Sequence, residues 1–173
     1  MLKGKLIHPD IMAALALCGH GDKVLIADGN YPLDSKTGQA ETVYLGLTPG
    51  LPTVTDVLAA IQSTVNIEKA EVMDPADGTT PEIFGEFQTM LDGMELNKLG
   101  RYEFYDACCQ PGVRLAISTG EQRIFFQPAD HHSAWPDPAC LTRFLGSLSS
   151  AWNAEKGSFV PVAFFSFLCY NDL

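Results

Sequence analysis

The apolar run Val24-Leu25-Ile26-Ala27 constrains the fold more than any other segment of the chain. Four apolar residues in a row, ending at Asp28-Gly29, are typical of a strand that is buried on both faces of its sheet. Residues 9–18, before this run, repeat apolar side chains at helical spacing. The sequence therefore predicts a helix, a tight Gly19–Asp22 link and then a buried strand.

Further segments alternate between strand and helix patterns. Strands are predicted at 42–45, 71–73 and 113–118, and helices at 53–65, from a cap at Thr80 with Pro81 in the first position, and near 104–108. In the helix after Thr80, the apolar stripe consists of Phe84, Phe87 and Leu91. This order of elements predicts a layered α/β domain.

The charge balance excludes some classes of partner. The chain of 173 residues has 21 acidic and 11 basic residues, for a net charge of −10, and such a surface repels nucleic acid but not a neutral sugar. The longest apolar stretch, Phe159 to Cys169, is about half as long as a membrane helix requires, so no membrane partner is expected. The five cysteines are odd in number and no leader is visible, which favours a reducing cytoplasm.

Two residues that flank the first strand are candidates for chemistry. His20 lies between two glycines, which give a substrate close access to an imidazole suited to acid–base work near neutral pH. The alternative is a histidine that only completes a turn. Asp28 lies at the carboxyl end of its strand, where α/β sheets bind ligands. The alternative for Asp28 is an Asx turn with Gly29 and Asn30.

A basic and aromatic group follows at residues 101–105. Arg101 and Tyr105 suit a sugar, whose C–H faces pack on rings and whose hydroxyls bond to polar side chains. The alternative is that Phe104 belongs to the core and that Arg101 is a surface charge.

The cysteines and histidines do not predict a metal site. Cys108, Cys109, His131, His132 and Cys140 match no CxxC or HxxxH spacing, because adjacent pairs do not readily share one tetrahedral ion. Cys108 and Cys109 are interpreted as small core residues.

Several of these segments recur together, in the same order, in a known family. They are Met1-Leu2-Lys3-Gly4, His8-Pro9-Asp10, Gly19-His20-Gly21-Asp22, Ala27-Asp28-Gly29-Asn30-Tyr31-Pro32, Arg101-Tyr102-Glu103-Phe104-Tyr105 and Ile117-Ser118-Thr119-Gly120-Glu121. On these segments the chain resembles the ribose pyranase / fucose mutarotase family over residues 1–126. The 101–105 segment is more similar to the fucose branch.

The resemblance implies a three-layer α/β/α sandwich around a mixed sheet. It implies a homo-oligomer, commonly a decamer of two pentamers. The implied activity is that of an isomerase, a mutarotase or pyranase that interconverts anomers or ring forms of a fucose- or ribose-like sugar without metal or coenzyme. His20 matches the family's proton donor, and Asp28 and Arg101 match its sugar-binding residues. Tyr105 is the further candidate sugar contact in the 101–105 segment.

The chain departs from the family after the Thr-Gly-Glu turn. Where the family has a Tyr-Gly-Asn or Tyr-Ala-Asn segment that contacts sugar, this chain reads Phe125-Phe126-Gln127, so Phe125 and Gln127 become the candidate contacts. Residues 127–173 form a divergent C-terminal extension, expected to pack on the same domain or to be partly disordered. Its last apolar run, 159–169, fits either a buried strand or an exposed end. The departure leaves open a second function, that of a non-catalytic sugar-binding or regulatory homologue.

Overall fold

The computed structural model describes residues 2–75 and 78–123, together with the backbone of a strand at 163–168. The helices are α1 (Pro9–Ala16), α2 (Val54–Gln62), α3 (Glu82–Met90) and α4 (Arg101–Cys108). The strands are β1 (Lys23–Ala27), β2 (Glu41–Tyr44), β3 (Asn66–Met73), β4 (Leu96–Leu99), β5 (Val113–Ser118) and β6 (Ala163–Leu168), and a short 3-10 turn covers Leu33–Ser35. Among the described residues, no helix has both the length and the apolar character needed to cross a bilayer.

Most predicted elements are present, with shifted ends. The strand over 113–118 is confirmed in full. The α3 cap is Pro81 and not Thr80, so the helix begins one residue later than predicted, while its stripe of Phe84, Phe87 and Leu91 is buried as expected. α4 begins at Arg101, earlier than predicted, and β4 was not predicted at all.

Local sequence determines where α2 begins. The Thr53 side chain accepts a hydrogen bond from the Asp56 amide at 3.1 Å, and the Asp56 carboxylate accepts one from the Thr53 amide at 2.9 Å. This reciprocal pair is a capping box. The helix then buries Val54, Leu58 and Ile61 in the sheet core. It ends at Gln62, three residues before the predicted end, with Ser63 as its C-cap.

The six strands form one mixed sheet in the order β2-β5-β1-β6-β3-β4. β5 is parallel to β1 and to β2, and β4 is parallel to β3. β6 runs antiparallel to both of its neighbours, β1 and β3. The other five strands therefore share one direction. We call the edge where these five strands end the carboxyl edge, and the edge where they begin the amino edge.

Side chains of β1 alternate between two apolar clusters on opposite faces of the sheet. Val24 and Ile26 join the cluster that contains buried residues of α1, α2 and α3. Leu25 and Ala27 join the cluster that contains Phe104 of α4. Helices therefore pack on both faces, which is why the β1 run is apolar throughout, and the predicted α/β class with a mixed sheet is confirmed.

β6, near the C-terminal end of the sequence, lies in the interior of the sheet. The sequence predicted either a buried strand or an exposed end for residues 159–169. A strand is confirmed for Ala163–Leu168. β1 and β3 are not neighbours in the sheet and are joined through β6.

Candidate functional site

Asp28 is the first residue after β1, at the carboxyl edge, and its side chain is fully buried. Its Oδ1 accepts hydrogen bonds from the backbone amides of Asn30, at 3.0 Å, and Tyr31, at 2.9 Å. This is the Asx turn that the sequence offered as the alternative reading of Asp28. The turn uses only one of the two carboxyl oxygens.

The second oxygen of Asp28 differs from the first in its partners, although the Asn30 side chain lies close enough to the carboxyl group to lower its pKa. Among the residues that the structure describes, Oδ2 is buried and has no hydrogen-bond partner. Burial disfavours the charged form and raises the pKa of Asp28 to about 7, and the negative charge of Glu121 acts in the same direction. A buried polar atom without a partner costs stability, so its presence beside a surface edge calls for an explanation.

Tyr105 and Arg101 belong to the same neighbourhood. Burial raises the pKa of Tyr105, the positive charge of Arg101 opposes that change, and the charge of Asp28 adds to it. Arg101 and Asp28 therefore both lie within electrostatic reach of Tyr105. The rings of Tyr31 and Tyr105 lie 5.7 Å apart between centroids, and Lys36 Nζ lies 5.7 Å from the Tyr105 ring centroid. The structure thus brings Asp28, Arg101 and Tyr105 together at the carboxyl edge.

The remaining members of the 101–105 group and the two cysteines take other roles. Phe104 is fully buried, as its alternative reading predicted, and Tyr102 is exposed. Cys108 is a core residue as expected, but Cys109 is exposed, so that part of the prediction was wrong. Cys109 is the C-cap residue that follows the last residue of α4.

Thr119 and Glu121, in the turn after β5, form hydrogen bonds that stabilise the carboxyl edge. The Thr119 hydroxyl donates to the Ala27 carbonyl oxygen at 2.9 Å, which ties this turn to the end of β1 beside Asp28. Glu121 accepts hydrogen bonds from the Val54 amide at 3.3 Å and from the Arg123 guanidinium at 2.7 Å. Burial raises the pKa of Glu121, but the bonds from Arg123 outweigh it and lower the pKa overall. Sequence reasoning recognised the Thr-Gly-Glu motif but not these roles.

His20 lies at the amino edge, before β1 begins. Residues 19–22 form a turn in which the Asp22 amide donates to the Gly19 carbonyl oxygen at 3.1 Å, and Gly21 has a φ of 82°. That φ at the third position is the type II geometry, which favours glycine. The His20 side chain is 74% exposed, and its Nδ1 lies 2.7 Å from Glu68 Oε1.

His20 and Asp28 therefore lie at opposite edges of the sheet. The five residues of β1 lie between them, and at about 3.3 Å per residue a strand of that length covers about 16 Å. Glu68 gives independent evidence, because its neighbour Lys69 lies opposite Ser166, which also lies opposite Lys23 at the start of β1. Within a single chain, β1 therefore separates His20 from Asp28 and places them at opposite edges of the sheet.

The two remaining candidates, Phe125 and Gln127, lie outside the described residues. The structure therefore describes four of the six residues singled out from the sequence: Asp28, Arg101 and Tyr105 at one edge, and His20 at the other.

Comparison with known proteins gives one matching family model. The model of the RbsD / FucU transport protein family matches residues 1–126. Among curated relatives, the chain is 32% identical over 139 residues to the fucose mutarotase of Mus musculus, covering 72% of this chain and 88% of that protein. It is 38% identical over 85 residues to the D-ribose pyranase of Paracidovorax citrulli, covering 47% of this chain and 63% of that protein.

The coverage of two D-ribose pyranases is partial. The match spans only 63% of the P. citrulli protein and 59% of the one from Variovorax paradoxus, so it covers about three fifths of their length.

Solved structures show the same fold. Bacillus subtilis RbsD complexed with D-ribose superposes with a TM-score of 0.65 at 19% identity, over 98% of this chain and 100% of that chain. The fucose mutarotase from Streptococcus pneumoniae in complex with L-fucose gives 0.57 at 24% identity, over 67% and 85%. At these identities the likeness concerns the fold.

Proposed function

The chain belongs to the RbsD / FucU transport protein family, as the resemblance in its sequence predicted, and from that premise we propose that it interconverts the anomers or ring forms of a monosaccharide. The proposed enzyme is an isomerase that acts on a fucose- or ribose-like sugar by acid–base chemistry, without metal or coenzyme. Curated relatives named D-ribose pyranase and fucose mutarotase support this choice of reaction.

The carboxyl edge supplies the sugar-binding groups in this proposal. Asp28 Oδ2 is a buried oxygen without a partner among the described residues, and a sugar hydroxyl would satisfy it. Arg101 and Tyr105 supply further donors and an apolar ring face for the sugar. A carboxyl group with a pKa of about 7 is partly ionised at neutral pH, so Asp28 is able both to accept and to donate a proton there.

Opening of the sugar ring needs two proton transfers. One proton goes onto the ring oxygen as the bond between that oxygen and the anomeric carbon breaks, and another leaves the anomeric hydroxyl. In the proposal His20 donates the first, and Asp28 or a water takes the second. Acid–base help of roughly 10²–10⁴-fold is enough for a reaction that water already permits slowly.

One observation carries the rest of the proposal: His20 and Asp28 lie at opposite edges of one sheet, with β1 between them. Both contact one sugar only if two copies of the chain meet, the amino edge of one against the carboxyl edge of the next. A head-to-tail contact of this kind closes into a ring when its rotation permits. The proposed protein is therefore a homo-oligomer with its sites between neighbouring copies, and the family resemblance implies a pentamer or decamer.

Subunit mixing tests this arrangement. We expect His20→Ala and Asp28→Asn each to lower the enzyme-dependent rate of anomer exchange, measured by exchange NMR on L-fucose and D-ribose, by about 100-fold. Coexpressed in equal amounts, the two variants should form mixed rings. About a quarter of the contacts would then pair an intact Asp28 edge with an intact His20 edge and regain activity.

The control is Asp34→Asn, a change at an exposed aspartate, which should leave the rate unchanged. A mixture no faster than either parent variant, from a wild type that is active, would rule out a site shared between copies.

One sequence feature favours a second candidate, a sugar-binding protein without turnover. Phe125-Phe126-Gln127 stands where the family has a Tyr-Gly-Asn or Tyr-Ala-Asn segment, so a hydroxyl and a shorter amide are missing. Calorimetry that detects sugar binding, together with wild-type anomer exchange at the buffer rate, would favour this candidate over the enzyme.

A further inference from the structure

Glu68 occupies an irregular position in β3. In the pairing of β3 with β6, Ile67 lies opposite Phe167 and Lys69 lies opposite Ser166, so Glu68 has no residue opposite it. This extra residue is a β-bulge, a feature that redirects a side chain and bends its strand. The bulge lies at the amino edge, level with the first residue of β1, Lys23, which also lies opposite Ser166.

The redirected side chain meets His20. Glu68 Oε1 lies 2.7 Å from His20 Nδ1, and the Glu68 side chain is 19% exposed while that of His20 is 74% exposed. On the other side of the turn, the Gly19 amide donates to Asp22 Oδ2 at 2.7 Å, which holds the loop that carries the histidine. The turn and the bulge thus fix one ring nitrogen and leave the rest of the imidazole at the surface.

Glu71, three residues further along β3, pairs with two lysines of this region, with Lys23 through Oε2 at 2.7 Å and with Lys69 through Oε1 at 2.6 Å. Within the described ranges, the hydrogen-bond partner of Glu68 is His20. A carboxylate accepts hydrogen bonds, so Nδ1 is the donor in this pair when it carries the proton.

We propose that Glu68 is a positioning residue for His20. It holds the proton on Nδ1 in both charge states of the ring, so that Nε2 alone gains and loses a proton and faces a sugar bound to a neighbouring copy. This inference rests on the proposed function and deepens it. In the reaction, the Nε2 proton passes to the ring oxygen as its bond to the anomeric carbon breaks. Asp28 or water takes the proton of the anomeric hydroxyl, which becomes the carbonyl of the open form, and closure reverses these transfers.

The direct test measures the tautomer of His20. Long-range ¹H–¹⁵N NMR on the full chain at a pH of about 8.5, above the ordinary titration range of imidazole, should show Nδ1 protonated and Nε2 bare. The resonance is assigned by its loss in His20→Gln. Glu68→Leu removes the acceptor and should release the Nδ1–H form, whereas Glu68→Gln keeps an acceptor oxygen and should retain it.

Kinetics give the second measurement. Anomer-exchange turnover should fall about 10-fold in Glu68→Leu with KM nearly unchanged, because the sugar contacts lie at the other edge. Glu68→Gln should keep more of the rate than Glu68→Leu. Glu41→Gln, at an exposed position on β2, is the matched control and should change neither the tautomer nor the rate.

The outcomes separate the two proposals. If His20 has the same tautomer in wild type and in Glu68→Leu, and that variant unfolds at the wild-type urea concentration, the positioning role is refuted whatever the activity. If the tautomer changes as expected but the wild type never exceeds the buffer rate, the Glu68 contact is supported and the enzymatic proposal fails. A Glu68→Leu chain that does not fold leaves Glu68→Gln as the decisive variant, and loss of the Nδ1–H form there overturns the proposal.

Discussion

Replacing Asp28 by asparagine should remove a specific pH dependence from the stability of the protein. Asparagine keeps an Oδ1 that accepts from the amides of Asn30 and Tyr31, but it carries no ionisable group. In the wild type, burial raises the pKa of Asp28 from 3.8 to about 7. The folded state therefore holds the proton more tightly than the unfolded state does.

The sign and size of the effect follow from that difference. Between pH 3.8 and about pH 7, unfolding releases the Asp28 proton, so the free energy of unfolding falls as the pH rises, by about 1.4 kcal/mol per pH unit. The contribution of Asp28 is fully present below pH 3.8 and is lost by about pH 7, a total of about 4 kcal/mol.

Urea unfolding followed by far-UV circular dichroism measures this quantity. From about pH 4.5 to about pH 8, we expect the wild type to lose about 3 kcal/mol relative to Asp28→Asn. When the pH dependence of the unfolding free energy of Asp28→Asn is subtracted from that of the wild type, the contributions of groups that titrate alike in both proteins cancel. Asp34→Asn should instead run parallel to the wild type. A difference between wild type and Asp28→Asn that stays flat across this range, or grows in favour of the wild type as pH rises, would refute the buried-carboxyl argument.

The two remaining predictions concern the frame around the carboxyl edge and the centre of the sheet. Gly120→Ala should destabilise by about 2 kcal/mol in urea unfolding, because its Cβ would lie 2.5 Å from the Leu51 carbonyl oxygen and 2.6 Å from that of Thr48. Gly85→Ala, in α3 with nothing within 4 Å, should stabilise by about 0.5–1 kcal/mol, and equal effects would contradict the steric argument. A chain that ends at residue 126 lacks β6, which joins β1 to β3, and should lose cooperative unfolding by circular dichroism. An unchanged urea midpoint would contradict the structural role of β6.

Local patterns were sufficient to predict much of the fold. The apolar β1 run, ended by Asp28-Gly29, predicts a strand that is covered on both faces. This prediction succeeds because an apolar cluster packs on each side of β1. The α3 stripe follows the helical period because one face of that helix packs on the sheet. These features depend on residues close together in the chain.

Features that depend on distant pairing were not predictable in the same way. β4 buries only Leu96 and gains its strand geometry from pairing with β3. The bulge at Glu68 exists only because β6, almost a hundred residues later, sets the register of β3. The grouping of Asp28 with Tyr105 likewise depends on how α4 packs against the sheet.

The separation of His20 from Asp28, in contrast, was within reach of the sequence. A strand of five residues covers about 16 Å, and the two residues flank it. The family resemblance assigns both residues to one sugar, and the sequence left open whether that site lies within one chain or between two copies. The strand length separates His20 from Asp28 within one chain, and the resemblance assigns both to one sugar. The two statements agree if the sugar lies between two chains.

The same geometry gives the C-terminal strand a part in the chemistry. β1 carries the His20 turn before it, and β3 carries Glu68 in its bulge, yet the two strands do not pair directly. β6 lies between them and places Ser166 opposite both Lys23 and Lys69, which brings the turn and the bulge to the same level of the sheet. Residues 163–168 therefore supply the strand that positions Glu68 beside His20. This role depends on the backbone register of β6 with its two neighbours.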